Sequence, residues 1–154
     1  MALRATIVVL NKQIRRVAQQ DRYRAQLHYL LSVSGVGLLA AMTFLCEVVT
    51  IERFKNLDRL LSFVGLVPGE HSKGESEQDT GLNPRRNSVL RHMLIECAWI
   101  AQREDPVLLA AFTNYCKRMP KSKAIVLIAR KLVSRMRFVL KHRQSYVTGV
   151  LSAK

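Results

Sequence analysis

The sequence predicts an all-α fold, in which an N-terminal coiled-coil-like helix precedes a compact helical domain. Apolar residues recur at steps of three and four along nearly the whole chain, as they do on one face of an α-helix. No segment shows the two-residue alternation of a half-buried strand. Hydrophobic residues make up 49% of the 154 residues and aromatic residues only 6%, so we expect a packed core of mainly Leu, Val, Ile and Ala.

The chain is strongly basic, with 25 Lys and Arg residues against 11 Asp and Glu residues and a formal net charge of +14. The excess lies at the two ends, in residues 1–30 and 105–154, while residues 31–104 are nearly neutral. Such an excess favours a polyanionic partner, nucleic acid before an anionic membrane surface. The alternative is a solvated surface that is merely rich in Lys and Arg.

The cysteines and the N-terminus indicate a cytoplasmic protein. Cys46, Cys97 and Cys116 are widely spaced and form no C-x-x-C pair, which argues against disulfides or zinc and predicts reduced thiols in the core. No histidine pair has ligand spacing and the acids form no phosphoryl-transfer cluster, so we expect no metal. No secretory signal is visible, and polar residues interrupt the uncharged stretch at residues 25–46, so we expect no membrane partner.

The first 30 residues predict a helical linker with coiled-coil character. The pattern fails at Asp21 and resumes at Tyr23. Since the stretch is short for a stable coiled coil, it could pair with a second copy or lie against its own domain. We call the a/d positions, which alternate in steps of four and three, the seam: Leu3, Ile7, Leu10, Ile14 and Val17.

Residues 31–147 predict a helical domain, followed by a tail at 148–154. A polar stretch at residues 68–84 is long for a loop inside a compact domain, which indicates a functional or disordered segment. The last helix has one apolar and one cationic face. The apolar face is formed by Ile125, Ile128, Ala129, Leu132, Met136 and Val139, and the cationic face by Arg130, Lys131, Arg135, Arg137 and Lys141. Helices are expected at residues 38–49, at 57–64 before Gly65, from an Asn87 or Ser88 cap, from Asp105-Pro106, and at 121–144.

Two glycines flank one apolar residue at Gly35-Val36-Gly37, between two predicted helices. This pattern resembles a helix-hairpin-helix turn, in which backbone amides and the N-terminus of the following helix hold a DNA phosphate. The alternative is a tight interhelical turn without any ligand.

The polar stretch holds the candidate nucleophiles Ser72 and Ser76, with His71 and Lys73 beside Ser72. A serine that attacks phosphate needs a base or a cation for its deprotonation, and cations that stabilise the transition state. From the pattern alone, a solvated loop is favoured over a catalytic one. The cations that follow the stretch are Arg85, Arg86 and Arg91.

A series of short motifs runs through the chain in a definite order. The motifs are Ser34-Gly35-Val36-Gly37, Leu61-Ser62-Phe63-Val64-Gly65-Leu66-Val67-Pro68, His71-Ser72-Lys73-Gly74, Pro84-Arg85-Arg86-Asn87-Ser88-Val89-Leu90-Arg91, Ala98-Trp99-Ile100-Ala101, Asp105-Pro106, Lys123-Ala124-Ile125 and Ala129-Arg130-Lys131-Leu132. The series resembles the C-terminal domain of DEDD-type insertion-sequence transposases, the class that includes the Piv DNA invertase. It covers roughly residues 31–147, and its order and spacing are more specific than any single motif.

The resemblance implies that a full-length member has an N-terminal RuvC-like nuclease domain, which holds a metal-binding acidic tetrad and is absent here. A divalent metal is therefore expected only in that domain, and no cofactor in this chain. The resemblance further implies that the C-terminal domain binds DNA and offers a serine nucleophile, that a coiled coil joins the domains of an oligomeric enzyme, and that some members use a guide RNA.

Two positions depart from the family pattern. The family commonly has a serine directly before the loop glycine, where this chain has Lys73, so that Ser72 is the remaining candidate for the catalytic nucleophile. A shift of one residue is costly in a strained site. A glycine is also common where Arg86 stands. Whether the chain is an enzyme by itself therefore stays open.

The sequence predicts the DNA-binding C-terminal domain of an insertion-sequence transposase, incomplete as an enzyme, with DNA and a second protein copy as partners. The alternative is a self-associating regulator that binds full-length transposase through residues 1–30. A basic helical protein of the membrane surface is a third hypothesis. The DNA-binding residues that we expect are Gly35, Val36, Gly37, Lys73, Arg85, Arg86, Arg91, Arg130, Lys131, Arg137 and Lys141.

Overall fold

The computed structural model describes residues 2–67 and 87–148. Within these residues the chain is helical and contains no strand, which confirms the all-α prediction. The elements are α1 (Ala2–Ala18), α2 (Asp21–Leu31), α3 (Leu38–Val48), a 3-10 turn (Ile51–Arg53), α4 (Leu57–Phe63), α5 (Ser88–Glu104), α6 (Pro106–Cys116) and α7 (Lys121–His142).

Helix α7 is the central element of the packed domain. It contacts α2, α4, α5, α6 and the 3-10 turn. Burial of a large aliphatic side chain contributes about 1.5–3 kcal/mol, so this one face accounts for a large share of the core. The residues predicted for that face are all at most 3% exposed: Ile125, Ile128, Ala129, Leu132, Met136 and Val139.

Helix α1 shares little of this core. Leu3 is 75% exposed and Ile7 is 49% exposed. Toward the end of the helix Ile14 packs against the core and Ala18 is buried, because there α1 rests on α2 and α3. The N-terminal part of the seam is therefore uncovered within the described residues.

Helix α2 lies in the packed domain, although the sequence assigned most of it to the linker. Leu27 and Leu30 are buried, and Tyr23 packs against the core. The apolar pattern resumes at Tyr23 because these residues face α3 and α7. The packed region thus begins near Asp21, while the division into domains stays a prediction.

Short polar side chains cap the N-termini of three of the helices. Asn87 accepts a hydrogen bond from the Leu90 amide at 3.0 Å, which caps α5. Asp105 accepts from the Val107 amide at 2.9 Å at the start of α6. Asn56 caps α4 in the same way. The predicted starts at Asn87 and Asp105-Pro106 are confirmed.

Two helices end earlier than predicted because a residue after them turns to positive φ. Val49 has φ 62 and follows α3, and Arg143 has φ 52 and follows α7. The Thr50 amide donates to the Val48 carbonyl across Val49, which closes a three-residue turn. This turn directs the chain from α3 into the 3-10 turn.

The uncharged stretch at residues 25–46 divides into the end of α2, a turn and most of α3. Helix α3 has 11 residues. In the part of the chain that is described, no helix is long and apolar enough to cross a membrane.

The cysteines differ in their surroundings. Cys97 is buried, and burial raises the pKa of its thiol to about 11, so the thiol is protonated at neutral pH. Cys46 is exposed and Cys116 is half-buried. The expectation of a core thiol is confirmed for Cys97 and wrong for Cys46.

Candidate nucleic-acid interface

Gly35 holds the turn between α2 and α3 directly on the backbone of α5. Its φ is +81, and a Cβ there would lie 2.5 Å from the Cys97 carbonyl oxygen and 2.6 Å from the Ala101 amide nitrogen. Only glycine combines this backbone conformation with such a close approach. The Gly35 amide donates to Glu104 Oε2 at 3.1 Å. The geometry therefore gives Gly35 a packing role.

The other amides of the turn also have partners inside the protein. The Val36 amide donates to the Val33 carbonyl at 3.1 Å. A hydrogen bond from the Gly37 backbone partly offsets the burial that raises the pKa of Cys97. Gly37 itself is exposed, has ordinary φ of −88, and begins α3 without a side-chain cap. A phosphate at this turn would therefore meet the first-turn amides of α3, which have no partner within the helix.

The segment after α7 runs back along the turn. The Tyr146 amide donates to Ser32 Oγ at 2.7 Å, and Ser34 Oγ lies 3.3 Å from Thr148 Oγ1. The Tyr146 hydroxyl donates to Asp105 Oδ2 at 3.2 Å. These contacts could not be predicted, because nothing in the sequence pattern of the last residues links them to the turn.

Asp105 connects α6, α7 and the segment that follows α7. Its carboxylate is fully buried, caps α6, and forms an ion pair with Arg135 of α7. The Arg135 guanidinium also lies over the Tyr146 ring, 4.8 Å from the ring centroid. The helical period predicts Arg135 on the cationic face of α7. The structure turns it inward instead, because the Asp105 charge needs a partner once it is buried.

Most cations of the described residues carry no compensating charge. Within residues 2–67 and 87–148, the pair of Arg135 with Asp105 is the one ion pair. On α7, Lys131 and Lys141 are exposed, while Arg130 and Arg137 are half-buried, as is Arg91 on α5. An uncompensated surface of this kind keeps a positive potential that attracts polyanions.

Arg137 and Lys141 of α7 line one cavity together with Lys55, which follows the 3-10 turn. The first two residues are among those predicted to bind DNA, whereas Lys55 is not. The local pattern around Lys55 carries no signal, because the chain meets α7 there only through the tertiary fold.

The candidate nucleophile and part of the proposed DNA-binding set lie outside the described residues: Ser72, Lys73, Arg85 and Arg86. Their roles stay predictions. In the part of the chain that is described, no three His, Cys, Asp or Glu side chains come together as metal ligands.

Comparison with known proteins places residues 27–114, from α2 into α6, in the family described as Transposase IS116/IS110/IS902 family. The putative transposase y4qE of Sinorhizobium fredii is 44% identical over 70 residues, which are 46% of this chain and 18% of the relative. The transposase for insertion sequence element IS1111A of Coxiella burnetii is 38% identical over 81 residues, 53% of this chain and 21% of the relative.

A second Sinorhizobium fredii protein, the putative transposase y4rJ, is 31% identical over 110 residues, 68% of this chain and 28% of the relative. The chain thus covers less than a third of the length of each of these relatives. No solved structure matches it significantly. Since the matched region is more than half of the chain and includes the turn that Gly35 holds on α5, the chain belongs to the IS116/IS110/IS902 family of transposases.

Proposed function

We propose that this chain is the DNA-binding C-terminal part of an insertion-sequence transposase and acts in DNA transposition and recombination. The uncompensated positive charge carries the proposal, since the whole chain has a net charge of +14 and its described residues contain one ion pair. Membership in a transposase family makes DNA the polyanion to expect. RNA is an alternative polyanion for the same surface.

Binding would use phosphate contacts, which fix the position of a protein on DNA without reading its sequence. Phosphates would be neutralised, and their counterions released, by Arg91 of α5 and by four cations of α7, namely Arg130, Lys131, Arg137 and Lys141. The N-terminus of α3, which has no side-chain cap, would add a weaker contact through its amides and the helix dipole. The Gly35 turn would act indirectly, by holding α3 in place.

The DEDD-type assignment extends this proposal to the complete enzyme. A RuvC-like domain elsewhere in that enzyme would hold the divalent metal. Ser72 would be the nucleophile in this chain, with Arg85, Arg86 and Arg91 on the phosphate side. Because Lys73 stands where the family commonly has serine, we expect no cleavage by this chain alone. The resemblance of the motifs supports these roles.

Fluorescence anisotropy over a salt series should show that the full chain binds duplex DNA. The affinity should fall steeply as salt rises, because each neutralised phosphate contributes about −0.9 to the slope of log K against log salt. Branched DNA and single-stranded RNA, measured in parallel, would identify the preferred polyanion. Absence of duplex binding at low salt would overturn the proposed function.

Three substitutions at Gly37 separate the contribution of the α3 amides to DNA binding from that of the cations, in the same assay. Gly37→Ala leaves the amides open, and it should bind as the unchanged protein does. Gly37→Asn and Gly37→Asp introduce side chains that cap helices, so they should occupy the amides and weaken DNA binding without loss of stability. Equal binding by all three variants would show that the N-terminus of α3 does not contact DNA.

A second function is favoured by the exposed seam of α1. Leu3, Ile7 and Leu10 are each about half exposed or more. An apolar groove of about 410 Å³ lies between the later part of α1 and α3. Two such surfaces could pair, so we propose as an alternative a regulator that binds another copy of the chain, or full-length transposase, through residues 1–30.

Replacement of both Leu3 and Ile7 by aspartate should abolish this association, because two buried charges cost far more than an apolar contact contributes. These residues are chosen because Ile14, by contrast, packs against the core. Sedimentation velocity of the purified chain measures the result. Asn11→Asp, an exposed change off the seam, is the matched control. An unchanged sedimentation profile in the double variant would contradict the alternative.

A further inference from the structure

The 3-10 turn at Ile51–Arg53 forms one wall of a cationic cavity against α7. Ile51 and Phe54 are buried, and the Phe54 ring lies 5.3 Å from that of Phe63, so the turn is anchored in the core. The turn carries Lys55 to the C-terminal part of α7. There Arg137 and Lys141, four residues apart, lie on one face of the helix. The cavity between the two elements has a volume of about 210 Å³.

The charge of this cavity is strongly unbalanced. Lys55, Arg137 and Lys141 line it together with one acid, Glu52. The Glu52 carboxylate accepts a hydrogen bond from Thr50 Oγ1 at 3.0 Å. None of the three cations forms an ion pair within the described residues. The lining therefore has a net charge of about +2, in a concave site where the potential is focused.

Arg137 carries the most specific signal. Its Nε atom is buried and has no hydrogen-bond partner among residues 2–67 and 87–148. A buried donor of a charged group is costly when it is unpaired, so it points to an acceptor that the described part of the chain does not supply. A guanidinium has several donors in one plane and binds the oxygens of a phosphate in a bidentate manner.

A second cavity continues the first along the 3-10 turn. It has a volume of about 480 Å³, shares Ile51 and Glu52 with the first, and is lined in part by Arg22 and Arg143. Both arginines are exposed. Cations on both sides of the turn suit an extended polyanion better than a single small ion.

We propose that the cavity lined by Lys55, Arg137 and Lys141 binds a phosphate of a nucleic-acid backbone. Arg137 donates to the phosphate oxygens from within the pocket, and the two lysines close over it from the exposed sides. The neighbouring cavity with Arg22 and Arg143 takes the continuation of the same strand. The proposal rests on the proposed DNA-binding function and assigns to it a defined contact point.

Duplex binding by the full chain, measured by anisotropy over a salt series, tests the pocket. Lys55→Gln and Lys141→Gln change exposed residues, so the variants should fold normally. Each should weaken binding about 10-fold and lower the magnitude of the salt slope by about one. Arg137→Gln should do at least as much, and Arg137→Lys, which keeps the charge but loses the planar donors, should show an intermediate loss.

Lys123→Gln is the matched control, since it removes one exposed charge from α7 far from the pocket. Its effect should be about 2-fold or less, because salt screens distant charges. If the three glutamine variants of the pocket residues bind as Lys123→Gln does, the pocket proposal fails while the proposed function stands. If the unchanged chain does not bind duplex DNA at all, both fail.

A titration with inorganic phosphate tests whether the ligand of the pocket is a nucleic-acid backbone or a free phosphate ion. We expect it to shift the amide resonances of Ile51 and Arg137 only weakly, because a single phosphate gains nothing from the neighbouring cavity. Binding of inorganic phosphate at least as tight as that of the duplex, lost in Arg137→Gln, would show a site for the free ion and would overturn the nucleic-acid assignment.

Discussion

Replacement of Asp105 by alanine is expected to destabilise the chain by about 3–5 kcal/mol, the cost of leaving one member of a buried ion pair without its partner. The Asp105 carboxylate is fully buried, caps α6, and accepts from Arg135 and Tyr146. All of these contacts are lost together in the variant. Since a domain of this size has a total stability of about 5–15 kcal/mol, the loss is a large part of it.

Urea unfolding followed by far-UV circular dichroism measures this effect. Two further variants show how much of the lost stability comes from the charge and how much from the hydrogen bond of Tyr146. Asp105→Asn keeps an oxygen that can cap α6 but loses the charge that pairs with Arg135, so it should fall between alanine and the unchanged protein. Tyr146→Phe removes one hydrogen bond and should cost about 0.5–1.5 kcal/mol. An Asp105→Ala effect no larger than that of Tyr146→Phe would contradict the central role of the carboxylate.

Gly35→Ala should be similarly damaging, with a cost of about 2–6 kcal/mol. One part is strain, since φ is +81 at this position and an alanine there costs about 1–3 kcal/mol. The other part is overpacking, since the new Cβ would lie 2.5 Å from the Cys97 carbonyl oxygen and would push the turn away from α5. Overpacking of this kind costs a further amount of about 1–3 kcal/mol.

Gly37→Ala is the matched control, since the same substitution two residues later meets no atom of the described residues within 4 Å and has an ordinary φ of −88. It should cost about 1 kcal/mol or less, mainly through a poorer helix cap. Thermal unfolding of both variants gives the comparison. Equal stability of the two would show that the close approach of the turn to α5 is unimportant.

Local properties of the sequence were sufficient to predict the helices and where they start. The period of apolar residues along α7 predicted its buried face, and the short polar side chains of Asn87 and Asp105 predicted where α5 and α6 begin. Such features depend on residues within a few positions of each other, so they can be seen without the fold. The order of motifs likewise indicated the transposase family, which the family comparison supports.

Charge patterning was a weaker guide to individual side chains. It placed Arg135 on a cationic face, but Asp105, 30 residues earlier, turns it inward. Apolar spacing had a similar limit: it indicated a seam on α1, but the N-terminal half of the seam is exposed and its later half rests on α3. A helical period shows which residues share a face and does not show what lies opposite that face.

By itself, the sequence determined the all-helical class, the helix starts, the basic character and the transposase family, because each depends on composition, local spacing or motif order. Only the tertiary structure decided that Gly35 packs on α5 and that Arg135 pairs with a buried acid. It alone brought Lys55 to Arg137 and Lys141 around one cavity. The physical reason is that these contacts join residues far apart in the chain, and their partners depend on how the helices cross.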